Sequence, residues 1–166
     1  MTSNNKKEKF SLIYKEHAQS IVRLCYLYLK DESLAQDAAQ DTFVKAYRKL
    51  GTFKENSNLT TWLTSIAINT CKSIMRNKSY KNTVSLNDAI MVPYETPDKE
   101  TQLSVSEAVK NLPDNLRIVA ILKYYRGHKT QEIAKILNIP VTTANYRLLK
   151  AKELLKEKLK EDFDYD

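Results

Sequence analysis

Residues 130–159, TQEIAKILNIPVTTANYRLLKAKELLKEKL, decide the reading of this chain. Ile133, Ala134 and Leu137 fall three and four apart, and Ala144, Leu148, Ala151 and Leu155 repeat that spacing further on, as the buried faces of two successive helices would. Between them, Asn138 is a residue type that tolerates a left-handed turn, and Ile139 follows it as an apolar anchor for the second helix. The pattern is a helix-turn-helix in which the small Ala134 lets the two helices cross closely. The exposed side of the second helix carries Thr142, Thr143, Asn145, Tyr146, Leu149, Lys150 and Lys152, types that reach base edges and phosphates. A plain antiparallel helical hairpin shares the apolar spacing and is the alternative reading.

Upstream, Val105, Ala108, Val109 and Leu112 predict a short helix, and Pro113 opens another containing Leu116, Val119, Ala120, Leu122, Lys123 and Tyr124. Before these, SLNDAIMVPYETPDKET holds two of the four prolines and keeps neither a period of 2 nor one of 3.6. The charge changes sign over the same stretch. Residues 1–79 carry 13 basic and 7 acidic side chains, 80–102 carry 2 and 4, 103–160 carry 12 and 5, and the tail EDFDYD carries four acids. The expected organisation is therefore an N-terminal domain over 1–79, a flexible linker over 80–102, a C-terminal domain over 103–160 and an acidic tail over 161–166.

The N-terminal block is also helical in period. Phe10, Ile13, Tyr14, Ile21, Leu24, Cys25 and Tyr28 form one stripe of a helix ending near Lys30. Ser33, with Gln36 three residues on, predicts a capping box opening a second helix, whose buried side is Ala35, Ala38, Ala39, Phe43, Ala46, Tyr47 and Leu50, with Gly51 as its stop. Its other side shows Asp37, Gln40, Asp41 and Val44, with Lys45 placed to pair with Asp41. That acidic patch fits either a solvated helix face or a docking surface for a basic partner. A polar loop, TFKENSNLTT, leads into a third helix burying Leu59, Leu63, Ile66, Ala67, Thr70 and Ile74. Thr61, Ser65, Asn69, Lys72 and Arg76 run along its opposite side beside Trp62, a mixture suited to single-stranded nucleic acid, where an aromatic plane stacks on a base and cations follow the phosphates. The competing reading makes Trp62 core and the cations solubilising.

Composition agrees with an all-α chain that binds an anion. Its 166 residues carry a net charge of +7 but only 2 Gly, too few turn residues for a many-stranded sheet protein. Gly51 and Gly127 stand apart from any Gly-rich phosphate loop, so Walker-type and dinucleotide-dependent enzymes are excluded. Cys25 and Cys71 read as buried free thiols, and neither they nor His17 and His128 have metal-ligand spacing, so no metal or cofactor is expected. No stretch approaches the roughly 18 apolar residues of a membrane span, and a polar N-terminus without an apolar region behind it points to a cytoplasmic protein that does not insert into membranes.

Four ordered stretches, AQDAAQDTFVKAYRKLGTF, LTTWLTSIAINTCKSIMRNK, NLPDNLRIVAILKYYRG and TQEIAKILNIPVTTANYRLLKAKELL, together resemble the extracytoplasmic-function sigma factors of bacterial RNA polymerase. The resemblance covers nearly the whole chain. It implies an all-α fold of two small domains, an N-terminal helical bundle (conserved region two) and a C-terminal helix-turn-helix domain (conserved region four). It implies no enzymatic activity. It implies core RNA polymerase, through its β′ and β subunits, and promoter DNA as partners, together with an anti-sigma factor that is often membrane-anchored in the family.

Residue by residue, the resemblance places Asp37, Gln40, Asp41 and Val44 against the β′ coiled coil. It gives Phe53, Asn58, Trp62 and Asn69 to capture of flipped bases in the melted minus-ten region, with Lys72 and Arg76 on the backbone. Thr142, Thr143, Asn145, Tyr146, Leu149 and Lys150 fall where the family reads the minus-thirty-five duplex, with Arg147 and Lys152 as phosphate partners. The chain departs from the family at Lys129, where a Ser cap is common, so Glu132 is expected to lose its capping partner and the helix to start less sharply. Asn145 and Tyr146 also replace common basic and small residues, so the resemblance does not fix the promoter sequence. Two other classes fit the sequence less well. A free-standing helix-turn-helix regulator leaves the Trp62, Asn69 and Arg76 face without a purpose, and a nuclease or recombinase lacks a nucleophile or clustered carboxylates.

Overall fold

A computed structural model describes residues 3–54, 58–81 and 99–163, with side chains over 4–54, 58–77 and 105–160. Loop residues 55–57, most of the expected linker (82–98) and the last three residues of the tail lie outside the described residues. The described backbone is helical throughout apart from short turns, and the chain divides into two compact units, residues 1–90 and 91–166.

The first unit packs α1 (Ser3–Leu29), α2 (Glu32–Lys49) and α3 (Leu59–Lys81) against one another. Helix α1 ends where Lys30 turns left-handed (φ 59) and its N–H bonds to the Tyr26 carbonyl at 2.8 Å. That turn sets Asp31 in an extended conformation, where its Oδ1 accepts from the Leu34 N–H at 2.8 Å. Asp31, not Ser33, is therefore the cap of α2. A carboxylate facing the positive end of a helix is a strong cap, and the left-handed turn at Lys30 delivers it there, leaving Ser33 exposed inside the first turn. The helix gives way at its far end to a 3₁₀ turn, Leu50–Thr52, that contains Gly51.

The core of this unit is Ile21, Leu24 and Cys25 from α1, Ala35, Ala38 and Ala46 from α2, and Leu63, Ala67, Ile68 and Cys71 from α3, each all but inaccessible. Both cysteines are free and buried as expected, and Cys25 sits against Cys71, whose thiol is pushed up by that hydrogen bond and by burial. Thr42 and Thr70 are buried at no polar cost because their hydroxyls donate to the carbonyls of Ala38 (2.6 Å) and Ile66 (2.9 Å) in their own helices. Tyr14 departs from the expected stripe. It is 51% exposed, its ring lying edge-on to Phe43 at 4.8 Å.

The second unit contains α4 (Lys99–Lys110), α5 (Asp114–Ala120), α6 (Thr130–Leu137) and α7 (Val141–Phe163), with α7 against the other three. Pro113 (φ −51, ψ 145) sits at the cap of α5, which runs on into a widened π turn, Ile121–Tyr125. Arg117 is 1% exposed, its guanidinium held by Asp114 Oδ1 at 2.7 Å and by the Leu112 carbonyl at 3.0 Å. Gly127 (φ 70) reverses the chain before α6. Glu132 keeps half of a capping box: lysine has no acceptor to offer, but the Lys129 backbone N–H donates to Glu132 Oε2 at 2.7 Å. The start of α6 is therefore tied from the helix side, which the sequence reading did not anticipate. Asn138 takes the left-handed conformation (φ 53, ψ 51) between α6 and α7, and Ile133, Ala134, Leu137, Ala144 and Ala151 fill the helix-turn-helix core.

Candidate nucleic-acid interface

Three surfaces carry the residues singled out in the sequence, two on the first unit and one on the second. On α2, Asp37, Gln40, Asp41 and Val44 are all exposed. The two acids differ in availability. Asp41 Oδ2 is 2.7 Å from Lys45 Nζ, whereas Asp37 has no ion pair among the described residues. Gln40 and Val44 also border a shallow groove of about 430 Å³ that is otherwise lined by Phe10, Tyr14, Phe43, Tyr47 and Arg48. The apolar stripes of α1 and α2 are wider than their shared interface requires, and the excess aromatic area forms this groove. Phe10, Tyr14, Phe43 and Tyr47, four aromatics on two adjoining helices, are the sequence signal of this groove.

On the neighbouring side, Asn58 caps α3: its Oδ1 accepts from the Thr61 N–H at 3.1 Å and its carbonyl from the Trp62 N–H at 3.0 Å. The cap brings Trp62 back to the end of the loop, where its ring meets Phe53 at 4.8 Å between centroids. Asn69 and Arg76 follow at intervals of seven residues, two helical turns or about 10 Å apart along one face. Asn69 is exposed, Lys72 half-buried, and Arg76 is exposed with Nη2 donating to Ser73 Oγ at 3.2 Å. Ser65 and Ser73 turn inward, donating to the carbonyls of Thr61 and Asn69 at 3.0 and 3.1 Å. The amide of Asn69 and the guanidinium of Arg76 are thus the protruding polar groups, beyond a paired aromatic platform.

On α7, Thr142, Asn145, Tyr146, Leu149, Lys150 and Lys152 are exposed, while Thr143 and Arg147 are half-buried at the edge of the face. Tyr146 is 61% and Leu149 57% exposed, large apolar surfaces on a helix whose other side buries Ala144 and Ala151 and half-buries Leu148 and Leu155. Lys150 pairs with Glu153 at 3.1 Å, and that contact holds its ammonium above the usual lysine range. Among the described residues no three His, Cys, Asp or Glu side chains are grouped to hold a metal ion, and no helix is long and apolar enough to cross a membrane.

Comparison with known proteins gives the chain a family. The sigma-70 region 2 family model matches residues 13–80, and that of sigma-70 region 4 matches residues 102–155. RNA polymerase sigma-H factor of Pseudomonas aeruginosa is 30% identical, over 92% of this chain and 87% of that protein. The chain belongs to the sigma-70 family. Within it, the extracytoplasmic-function sigma factor SigW of Bacillus subtilis is 28% identical over 93% of this chain and 91% of its own. The fold of the RpoE sigma factor from Bartonella quintana, solved in complex with the anti-sigma factor NepR, superposes with a TM-score of 0.82 at 24% identity over 92% of this chain and 98% of that one. This sigma factor is accordingly an alternative sigma factor of the extracytoplasmic-function type, directing promoter-specific transcription. Sigma factors are DNA-binding regulators of initiation.

Proposed function

We propose that the three surfaces divide the work of initiation among docking, strand capture and duplex reading. The exposed acids of α2, Asp37 foremost, dock on the β′ subunit of core polymerase, while β completes the contact with the factor. Phe53, Asn58, Trp62 and Asn69 hold unstacked bases of the minus-ten strand, with Lys72 and Arg76 along its phosphates. The face of α7 reads the minus-thirty-five duplex, where Asn145 can pair with a base edge, Leu149 and Tyr146 can cover a thymine methyl, and Arg147, Lys150 and Lys152 reach phosphates. The chain does no covalent chemistry, acts in the cytoplasm, and is held inactive by an anti-sigma factor as its structural neighbour is complexed with one.

The observation that carries this reading is the line formed by the Phe53–Trp62 ring pair, Asn69 and Arg76 on one face of α3. Opening DNA costs roughly 1.4 kcal/mol per base-pair step, and stacking a freed base on an aromatic ring returns about 1–3 kcal/mol. A few captured bases are therefore enough to offset the opening of a short bubble, provided a polar group orients them. Asn69 is that group. Asn69→Ala is expected to bind core enzyme and form the closed complex normally, yet to lower permanganate-reactive promoter DNA about tenfold, the loss of one amide contact to a base. A pre-melted bubble should restore part of the transcript. Full melting of linear duplex by Asn69→Ala would remove the assignment.

A further inference from the structure

Lys45 lies between two of these surfaces and belongs to neither. Its Nζ is 2.7 Å from Asp41 Oδ2 on its own helix and donates across to Thr70 Oγ1 on α3 at 3.1 Å, a contact between residues 25 apart in the chain. Thr70 is 1% exposed, and its hydroxyl is already committed as a donor to the Ile66 carbonyl at 2.9 Å. The hydrogen bonds therefore run in one direction, from ammonium to hydroxyl to carbonyl, and the hydroxyl lone pair facing Lys45 is fixed in place. Thr70 directly follows Asn69, so this bond holds α3 at the position beside the amide assigned above to base capture.

We propose that Lys45 is a positioning residue for promoter opening: it fixes the rotation of α3 relative to the polymerase-docked α2, and thereby the direction in which Asn69 projects. The inference rests on the strand-capture reading of α3. The packing between the helices explains why a polar tie is needed. Beside Thr42 and Phe43, helix α2 buries Ala35, Ala38, Ala39 and Ala46, and such small side chains set how closely helices approach but interlock weakly against rotation. A rotation of α3 by about 20° would carry a side-chain head at a radius of roughly 6 Å through about 2 Å, enough to break a hydrogen bond to a base. The contact to Thr70 opposes that rotation, and Asp41 holds the ammonium in line.

The test uses full-length protein with core polymerase on a linear promoter, with Asn69→Ala run in parallel. Thr70→Val keeps the side-chain shape and removes the hydroxyl, and with it both the acceptor for Lys45 and the bond donated to the Ile66 carbonyl within α3. Lys45→Met keeps the unbranched stem without the ammonium and also frees Asp41, so it leaves the acidic face more negative. Both are expected to reduce permanganate-reactive DNA about three- to tenfold, the range open to one coupling contact, with affinity for core enzyme unchanged or, for Lys45→Met, higher. Lys45→Arg, which can keep both bonds, should open the promoter normally. The double substitution should be no worse than the more severe single one, because both remove the same contact. Normal opening by Thr70→Val and Lys45→Met, while Asn69→Ala is defective, overturns this inference and leaves the capture reading standing. Normal opening by Asn69→Ala overturns the capture reading and this inference with it. Loss of core binding in Lys45→Met assigns the residue to the docking surface and also overturns the proposal.

Discussion

The outward faces of α3 and α7 both present polar side chains beside an aromatic, half-buried Trp62 on α3 and exposed Tyr146 on α7, yet they are built in opposite ways. On α3 most of the polar side chains are committed internally: Asn58 caps the helix, Ser65 and Ser73 bond to carbonyls, Arg76 leans on Ser73, and Thr70 receives Lys45. On α7, Thr142, Asn145, Tyr146 and Leu149 are exposed, and Lys150 pairs with Glu153. A face whose groups are already tied presents one geometry and suits a task that is the same at each promoter, such as holding a melted strand. A face of free side chains is defined by their identities and suits reading a particular sequence. Its precision must then come from the rigidity of the unit beneath it.

The largest expected effect tests that last step. Arg117 lies in the support of α7, and Arg117→Ala would leave a cavity and an unpaired Leu112 carbonyl. The cost should be about 3 kcal/mol. In calorimetry of the full chain the transition of the second unit should fall by on the order of 15 °C while that of the first unit stays in place. A transition that does not move would mean that α7 is positioned by something other than the core around Arg117.

A smaller effect separates reading from holding within α7. Asn145→Ala should change the preferred base at one position of the minus-thirty-five element, worth about 2 kcal/mol at that position. Lys150→Ala should weaken all sequences alike and reduce the slope of log affinity against log salt by about one. Selection from a randomised element at two salt concentrations measures both. An unchanged ranking with Asn145→Ala would erase the contrast between the two faces.

The smallest expected effect concerns pH. His128 is buried beneath the start of α6, and its imidazole is held below the usual histidine range mainly by that burial, with Arg126 adding to the effect and Glu132 opposing it. The folded unit therefore binds the proton more weakly than the unfolded chain does. Its stability is complete above the unfolded value near 6.5 and declines as the pH falls through it toward the folded value. Urea unfolding at pH 7.5 and 5.5 should give a lower midpoint for the second unit at the acid pH, and His128→Gln should flatten the difference. An equal midpoint in wild type at the two pH values would show that His128 takes up its proton in the folded state.

The helix-turn-helix was legible because one apolar period runs on each side of Asn138 and few residue types accept the turn. What was not legible depended on choices that local sequence leaves open. Asp31 and Ser33 are both good caps, and only the left-handed turn at Lys30 decides between them. Arg117 reads as a surface residue until the Pro113 turn places a carbonyl and a carboxylate within reach of it. Thr42 reads as polar because sequence does not show that a hydroxyl satisfied inside its helix can be buried. The exposed groups of α7 and the Trp62, Asn69 and Arg76 spacing followed from helical period alone, whereas the Lys45 to Thr70 contact spans two helices and has no local signature.

The turn at Asn138 bears on how this protein can change over generations. Its backbone sits at φ 53, and the two following bonds, Asn138 N–H to the Lys135 carbonyl at 3.2 Å and Ile139 N–H to the Ala134 carbonyl at 3.0 Å, depend on that conformation. Glycine and asparagine adopt it readily, while other residues pay roughly 1–2 kcal/mol and β-branched ones more. Substitutions on the outer face of α7 meet no such barrier. Drift can therefore rewrite the outer face of α7 much faster than it can alter the angle between α6 and α7, so, if that face reads the duplex as proposed, descendants should diverge in their target promoters while keeping one way of lying on them.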